Sequence, residues 1–194
     1  QGGTLFVDEF ASFSPVLQDI FLSVLESRPI RKAGGESITP DVRCVFATNA
    51  DVDDLAERGV LRRDLLARIA VRIQVPSLRE RRGDILLLAR HFSHGVRFAE
   101  ETLIALVRHD WPNNVRELSA TINKAVARRK GSSKIELDHV ELPDSLRTQV
   151  EALPGDACRR ELWALADEVA RAEGFKVGQG LQRRAGEILG VQEA

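Results

Sequence analysis

The 194-residue sequence has no methionine, two cysteines, no long apolar run and no excess of either charge. Each shortage excludes something. No apolar stretch approaches the roughly 20 residues needed to span a bilayer, and no signal peptide is visible, so no membrane partner is expected. Lys and Arg (28) nearly cancel Asp and Glu (29), for a formal charge of −1, which argues against a chain that coats nucleic acid or an acidic surface. Any basic patch must be local. Cys44 and Cys158 form neither metal-ligand spacing nor a disulfide framework, which fits a reducing, cytoplasmic setting. The four histidines, His91, His94, His109 and His139, show no ligand or triad pattern and are read as structural. There is no internal repeat and no low-complexity segment. With no initiator methionine and an opening inside a strand-like run, the sequence is read as a piece of a longer polypeptide.

Residues present along the chain alternate strand and helix patterns. Thr4-Leu5-Phe6-Val7 reads as a buried strand ending on Asp8-Glu9. Ser14-Pro15 opens a helix with Leu17, Ile20, Phe21, Val24 and Leu25 at helical spacing, ended by Arg28-Pro29. A Gly34-Gly35 turn precedes a second buried strand over 42–49. Asp51 can cap a short helix, residues 62–69 read as another, and Val71 to Val75 as a third strand closed by Pro76. This alternation predicts an α/β fold with a parallel sheet over residues 1–76. Beyond Pro76 the pattern becomes helical, with amphipathic segments at 84–92, 100–109 and 115–129 and no strand between them, so 77–145 is predicted to be a small all-α domain. Residues 146–158 read as a linker, and 159–194 as a further helical segment with Leu162, Leu165, Ala166 and Val169 on one face.

Four strings can carry chemistry. Acids at the carboxyl tip of a parallel strand sit where ligands gather in open α/β sheets. Asp8 then suits a magnesium ion, through water, and Glu9 suits polarising an attacking water; an acidic cap for the next helix explains the same pair. Thr48-Asn49 at the second strand's end can sense a phosphate, or simply cap and turn. Arg62 and Arg68, six positions apart, would point about 120 degrees from each other on a continuous helix. One before the helix and one on it could both reach a neighbouring subunit's γ-phosphate, and a solvated basic surface is the alternative. In Trp111-Pro112-Asn113-Asn114-Val115-Arg116-Glu117-Leu118, Asn113 or Asn114 can turn left-handed or cap. Arg116 falls in the first helical turn, where the helix dipole does not favour a cation. It is read as binding an external anion or pairing with Glu117 or another carboxylate.

The strings GGTLFVDE, DVRCVFATNADVDDL, GVLRRDLLARIAVRI, PSLRERRGDILLLARHF and DWPNNVREL, in order over roughly residues 1 to 130, together resemble the AAA+ ATPase module of bacterial enhancer-binding proteins, the activators of sigma-54 RNA polymerase. The resemblance implies ATP and Mg2+ as ligands. Asp8 and Glu9 become the Walker B acids, with Asp8 on the metal, and Asn49 with Thr48 the first sensor. Arg62 and Arg68 become arginine fingers donated in trans, and Arg116 the second sensor. It also implies a homo-oligomeric ring, a hexamer or heptamer, acting on the sigma-54 polymerase holoenzyme. Arg183 to Val191 looks like the first half of a Fis-type helix-turn-helix, truncated at Ala194, which would meet enhancer DNA in an intact protein.

Departures from the family pattern are Leu66-Ala67 in place of two aromatics, Ser77 in place of a proline and Asn113 in place of a glycine. These are expected to weaken function without abolishing it. The family's lysine-bearing phosphate loop is not in this sequence, so an incomplete P-loop sheet is expected. That sheet should have unpaired edges and a tendency to aggregate, and the chain alone should bind ATP poorly. The competing reading is a non-hydrolysing DNA-binding regulator on the same scaffold.

Overall fold

In the computed structural model, residues 2–31, 34–35, 37–174 and 179–190 are described. They fall into two compact units, Gln1–Gln74 and Val75–Ala194.

In the first unit, strand β1 (Thr4–Val7) passes through a short 3₁₀ turn (Phe10–Ser12) into helix α1 (Pro15–Leu25). Ser14 caps α1 by accepting the Leu17 N–H at 3.4 Å, and Pro15 takes the first helical position, where no N–H is needed. A two-residue hairpin, β2 (Ile30–Arg31) with β3 (Ser37–Ile38), turns at Gly34 and Gly35, whose φ values of 113° and 101° favour glycine. Strand β4 (Arg43–Phe46) then returns parallel to β1, in the register Thr4↔Arg43 through Val7↔Phe46. Asp51 caps α2 (Val52–Glu57) by accepting the N–H groups of Asp53 and Asp54, and α3 (Arg63–Ala67) follows. The core is small. Phe10, Leu61, Leu65 and Leu66 are buried, and Phe46 lies between the rings of Phe10 and Phe21, with centroids at 5.3 and 5.6 Å.

Three expectations for this unit are corrected. β1 is not an interior strand: among the described residues it pairs only with β4, so Leu5 and Phe6 stay 43% and 62% exposed. Residues 71–75 form no strand, and Val71, Ile73 and Val75 face solvent, because an extended segment becomes a strand only where a neighbour completes its hydrogen bonds. On α1, Leu17 and Ile20 are exposed, whereas Gln18 is buried beside Phe21, Leu22 and Leu25.

The second unit is helical: α4 (Arg82–Phe92), α5 (Glu100–Arg108), α6 (Asn114–Arg128), α7 (Asp144–Glu151), α8 (Gly155–Ala172) and α9 (Gln179–Leu189). Its core runs from Leu78 through Ile85, Ile104, Trp111, Ile122 and Leu162 to Ala185 and Ile188. A parallel pair of two-residue strands, β5 (Arg97–Phe98) and β6 (Lys134–Ile135), joins it where no strand was expected. Buried Thr102 anchors that pair by donating its hydroxyl to the Ile135 carbonyl at 3.2 Å. Residues 146–158, expected as a linker, belong to α7 and the start of α8. Pro143 and Pro154 occupy the positions just before these helices, which proline tolerates, and Val150 and Cys158 are buried in the core. Arg108 of α5 forks onto Glu161 of α8, with Nε to Oε1 at 3.2 Å and Nη2 to Oε2 at 2.6 Å. α9 covers the N-terminal part of the tail expected as a half helix-turn-helix, and residues 191–194 of that tail lie outside the described residues.

Gly83 permits the close approach of α4 to α8: a Cβ there would lie 2.4 Å from Val169 Cγ2. Gly83→Ala is therefore expected to destabilise the chain by about 1–3 kcal/mol in denaturant unfolding, and Val169→Ala in the same chain to recover part of the loss. Arg184 of α9 bonds Glu173 through Nε (2.7 Å) and Nη2 (3.0 Å), and Glu187 through Nη1 (3.2 Å). These bonds hold both carboxyls below the ordinary carboxylate range. The stabilisation that these ion pairs add to α9, beside the burial of Ala185 and Ile188, is then fully present above the unfolded Glu value of about 4.3 and is lost as pH falls through the lower native values. Amide exchange should show α9 opening in acid before α5 and α6; simultaneous opening of all three would contradict this.

Candidate functional site

The parallel pairing of β1 with β4 aligns the carboxyl ends of both strands. The Ala47 N–H donates to the Val7 carbonyl at 2.8 Å, and the Phe10 N–H donates to the Ala47 carbonyl at 3.1 Å. Asp8-Glu9 and Thr48-Asn49 therefore leave the sheet side by side. Asp8 is exposed and accepts the Glu9 N–H on Oδ1 at 3.0 Å, which leaves Oδ2 available. Glu9 sits in the left-handed region, φ 52° and ψ 40°, a strained setting for a residue with a Cβ. Its carbonyl accepts from the Ser12 N–H and hydroxyl, so the turn is held from the far side while the carboxylate projects to solvent. Thr48 Oγ1 accepts the Ala50 N–H at 3.1 Å, a local turn bond, and exposed Asn49 makes no side-chain hydrogen bond among the described residues.

Arg62 and Arg68 bracket α3, at the residue before its first turn and the residue after its last. Neither pairs with Asp8 or Glu9. Arg62 forks onto Asp64, Nε to Oδ1 at 3.0 Å and Nη2 to Oδ2 at 2.6 Å, and its Nη1 also bonds Asp19 of α1. The fork raises the Arg62 pKa and holds the Asp64 carboxyl below its ordinary range. Arg68 Nη2 lies 2.6 Å from Glu26 Oε1, at the end of the same helix α1, and Arg28 Nη2 approaches the other Glu26 oxygen at 2.7 Å.

Arg116 lies in the helical unit, exposed on the first turn of α6, and makes no ion pair among the described residues. The alternative of a bond to Glu117 is not what forms. Glu117 instead accepts the Asn113 N–H on Oε2 at 2.9 Å, and its Oε1 lies 3.3 Å from His109 Nε2. The left-handed residues of this turn are Trp111 (φ 49°) and Asn114 (φ 51°), whereas Asn113 has φ −98°. Asn114 Oδ1 accepts the Leu78 N–H at 2.7 Å, and the Trp111 indole donates to the Leu106 carbonyl at 2.7 Å. Ser77 forms a capping box with Glu80: the Ser77 N–H and hydroxyl both bond Glu80 Oε2, at 2.7 and 2.8 Å. A proline there would lack that N–H, so this departure from the family pattern carries its own local compensation.

Gln18, Asp19, Asp64 and Glu26, which hold the two arginines, were not singled out by the sequence patterns. The signal for Gln18 was present: positions 18, 21, 22 and 25 follow the i, i+3, i+4, i+7 spacing of one helix face. Among the described residues no group of three His, Cys, Asp or Glu side chains is disposed to hold a metal by itself, and no helix is long and apolar enough to cross a membrane.

Residues 1–74 match the Sigma-54 interaction domain, and residues 79–155 match the AAA+ ATPase lid domain. The Psp operon transcriptional activator of Escherichia coli K12 is 32% identical over 214 aligned residues, covering 98% of this chain and 65% of the relative. The transcriptional regulatory protein ZraR of E. coli K12 is 34% identical over 203 residues, covering 98% of this chain and 45% of the relative. Crystalline NtrX from Brucella abortus in complex with ATP superposes with a TM-score of 0.66 at 25% identity, over 97% of this chain and 46% of that one. The chain thus spans about two-thirds or less of the proteins it resembles. A mixed α/β unit with parallel strands followed by a helical lid is the AAA+ architecture, and with both halves matched in order, this chain belongs to the AAA+ family of sigma-54-dependent activators, the bacterial enhancer-binding proteins.

Proposed function

We propose that this chain is the nucleotide-hydrolysing module of a sigma-54-dependent transcriptional activator, in which ATP turnover between protomers of a ring drives remodelling of the polymerase closed complex. The observation that carries the reading is the placement of Asp8-Glu9 beside Thr48-Asn49 at one sheet edge. The residues fit a magnesium–nucleotide complex. Magnesium is commonly held by one or two carboxylates plus substrate phosphates, and Asp8 offers an exposed, hard oxygen of that kind. The ion would neutralise charge on the β- and γ-phosphates.

The remaining roles belong to this chain's own side chains. Glu9, projecting from a strained turn, orients the attacking water and accepts its proton. Asn49, whose amide is uncommitted, donates to the γ-phosphate or the water, and Thr48 fixes the turn that aims it. Arg62 and Arg68, both more than two-fifths exposed, reach the phosphate of the adjoining protomer. Arg116 contacts nucleotide bound by its own subunit. A phosphate-cradling loop from the longer protein completes the site, so the 194-residue chain alone turns over ATP negligibly. Helix α9 belongs to an element that meets enhancer DNA in the longer protein.

In a full-length protein carrying this chain, Glu9→Ala and Arg68→Ala are each expected to lower ATP turnover about a hundredfold or more, with ATP still bound by the Glu9 variant. Wild-type rates in both would remove the site assignment. The strain at Glu9 gives a second, activity-independent test. Glu9→Gly should be about 1 kcal/mol more stable than Glu9→Ala, because only glycine escapes the left-handed penalty, while both are inactive. Equal unfolding midpoints would contradict the strained geometry.

A further inference from the structure

Gln18 is 1% exposed and belongs to α1, yet every hydrogen bond of its side chain goes to residues outside that helix. Its Nε2 donates to the Phe13 carbonyl and to the Val60 carbonyl, both at 3.0 Å, and its Oε1 accepts the Arg62 backbone N–H at 2.9 Å. Both amide protons and the acceptor oxygen are used, as a buried amide requires. The next residue, Asp19, bonds the Arg62 guanidinium, and Asp64 forks onto it from the other side. Arg62 is thereby held at two levels, its backbone by Gln18 and its side chain by two carboxylates. A guanidinium carries five N–H groups, and Asp64 and Asp19 use three of them. The other two remain for an external anion while the cradle stays intact.

We infer that Gln18, with Asp64 and Asp19, is a positioning device that presets Arg62 for a phosphate presented by a neighbouring protomer. The inference rests on the proposal that Arg62 is donated in trans. Arginine is a long, entropically costly side chain, and holding it in one geometry beforehand removes that cost from the moment when charge develops on the phosphate. The carboxylates also shield the cation until an anion arrives. Gln18 touches no nucleotide in this account and acts only through Arg62.

The test uses the full-length protein carrying this chain, with ATP turnover measured for Gln18→Met, Asp64→Asn, Arg62→Ala and the two double variants with Arg62→Ala. Gln18→Met is expected to lower kcat about tenfold and Asp64→Asn about threefold, with KM changed by less than about twofold. Each double variant should be no slower than Arg62→Ala alone, because a device acting through Arg62 has nothing left to position. Amide exchange supplies a readout independent of turnover: protection at the Arg62 N–H should fall in Gln18→Met and persist in Asp64→Asn. Should Gln18→Met fail to fold, exposed Asp64→Asn still decides the matter. Wild-type kcat in Asp64→Asn, or losses that multiply in the double variants, would overturn the inference while leaving Arg62's own role standing. A wild-type rate in Arg62→Ala would instead overturn the trans assignment itself, and this inference with it.

Discussion

The parallel pairing of β1 with β4 is the constraint on which the candidate site depends. Side-chain direction alternates along a strand, and a one-residue slip in register exchanges the faces of every side chain. With Val7 opposite Phe46, the two acids and the Thr48-Asn49 pair emerge together, and the ring of Phe46 packs between Phe10 and Phe21 beneath them. The aromatic cluster is thus the local support of the candidate site. Only four residues of each strand take part, and beyond them the left-handed turn at Glu9 is held by the bonds that its carbonyl accepts from Ser12, by its own N–H to Asp8 and by the Phe10 N–H to Ala47.

A second layer of organisation surrounds α3. A five-residue helix is too short to be stable by propensity and is held by its burial and its ends. Leu65 and Leu66 anchor it in the core, Gln18 fixes its entry, and two carboxylates of α1, Asp19 within the helix and Glu26 at its C-terminal end, engage the arginines that bracket it. Arginines separated by six positions need not share a helix face when the helix lies between them. The sequence reading sets one arginine before the helix and the other on it; the structure differs, with Arg62 just before α3 and Arg68 just after its shorter span.

Much of this was legible in the residues, and what was not has specific causes. Local pattern puts Asp8-Glu9 and Asn49 at strand ends, a cap at Asp51 and helices after Pro76, and in the structure these residues lie at the ends of β1 and β4, before α2 and in a helical unit. Burial of β1 did not follow, because apolar composition predicts an interior strand only when neighbours exist to cover it. Alternation in Val71-Arg72-Ile73-Gln74-Val75 likewise describes a strand without supplying its partner. A proline misled in the opposite sense: Pro154 fell in the expected linker but sits where α8 begins. Gln18 was passed over because polarity usually marks a solvent face, and its burial depends, for one amide proton, on an acceptor more than 40 residues away in the chain, the Val60 carbonyl.

The most direct measurement is a structure of the assembled full-length protein with a slowly hydrolysed ATP analogue and magnesium. The account predicts Asp8 on the metal's coordination sphere, Glu9 within reach of the water in line with the γ-phosphate, and Arg62 and Arg68 of the adjoining protomer at hydrogen-bond distance from that phosphate. A nucleotide bound away from these four side chains, or arginines still closed on Asp19, Asp64 and Glu26 with no contact to phosphate, would contradict it.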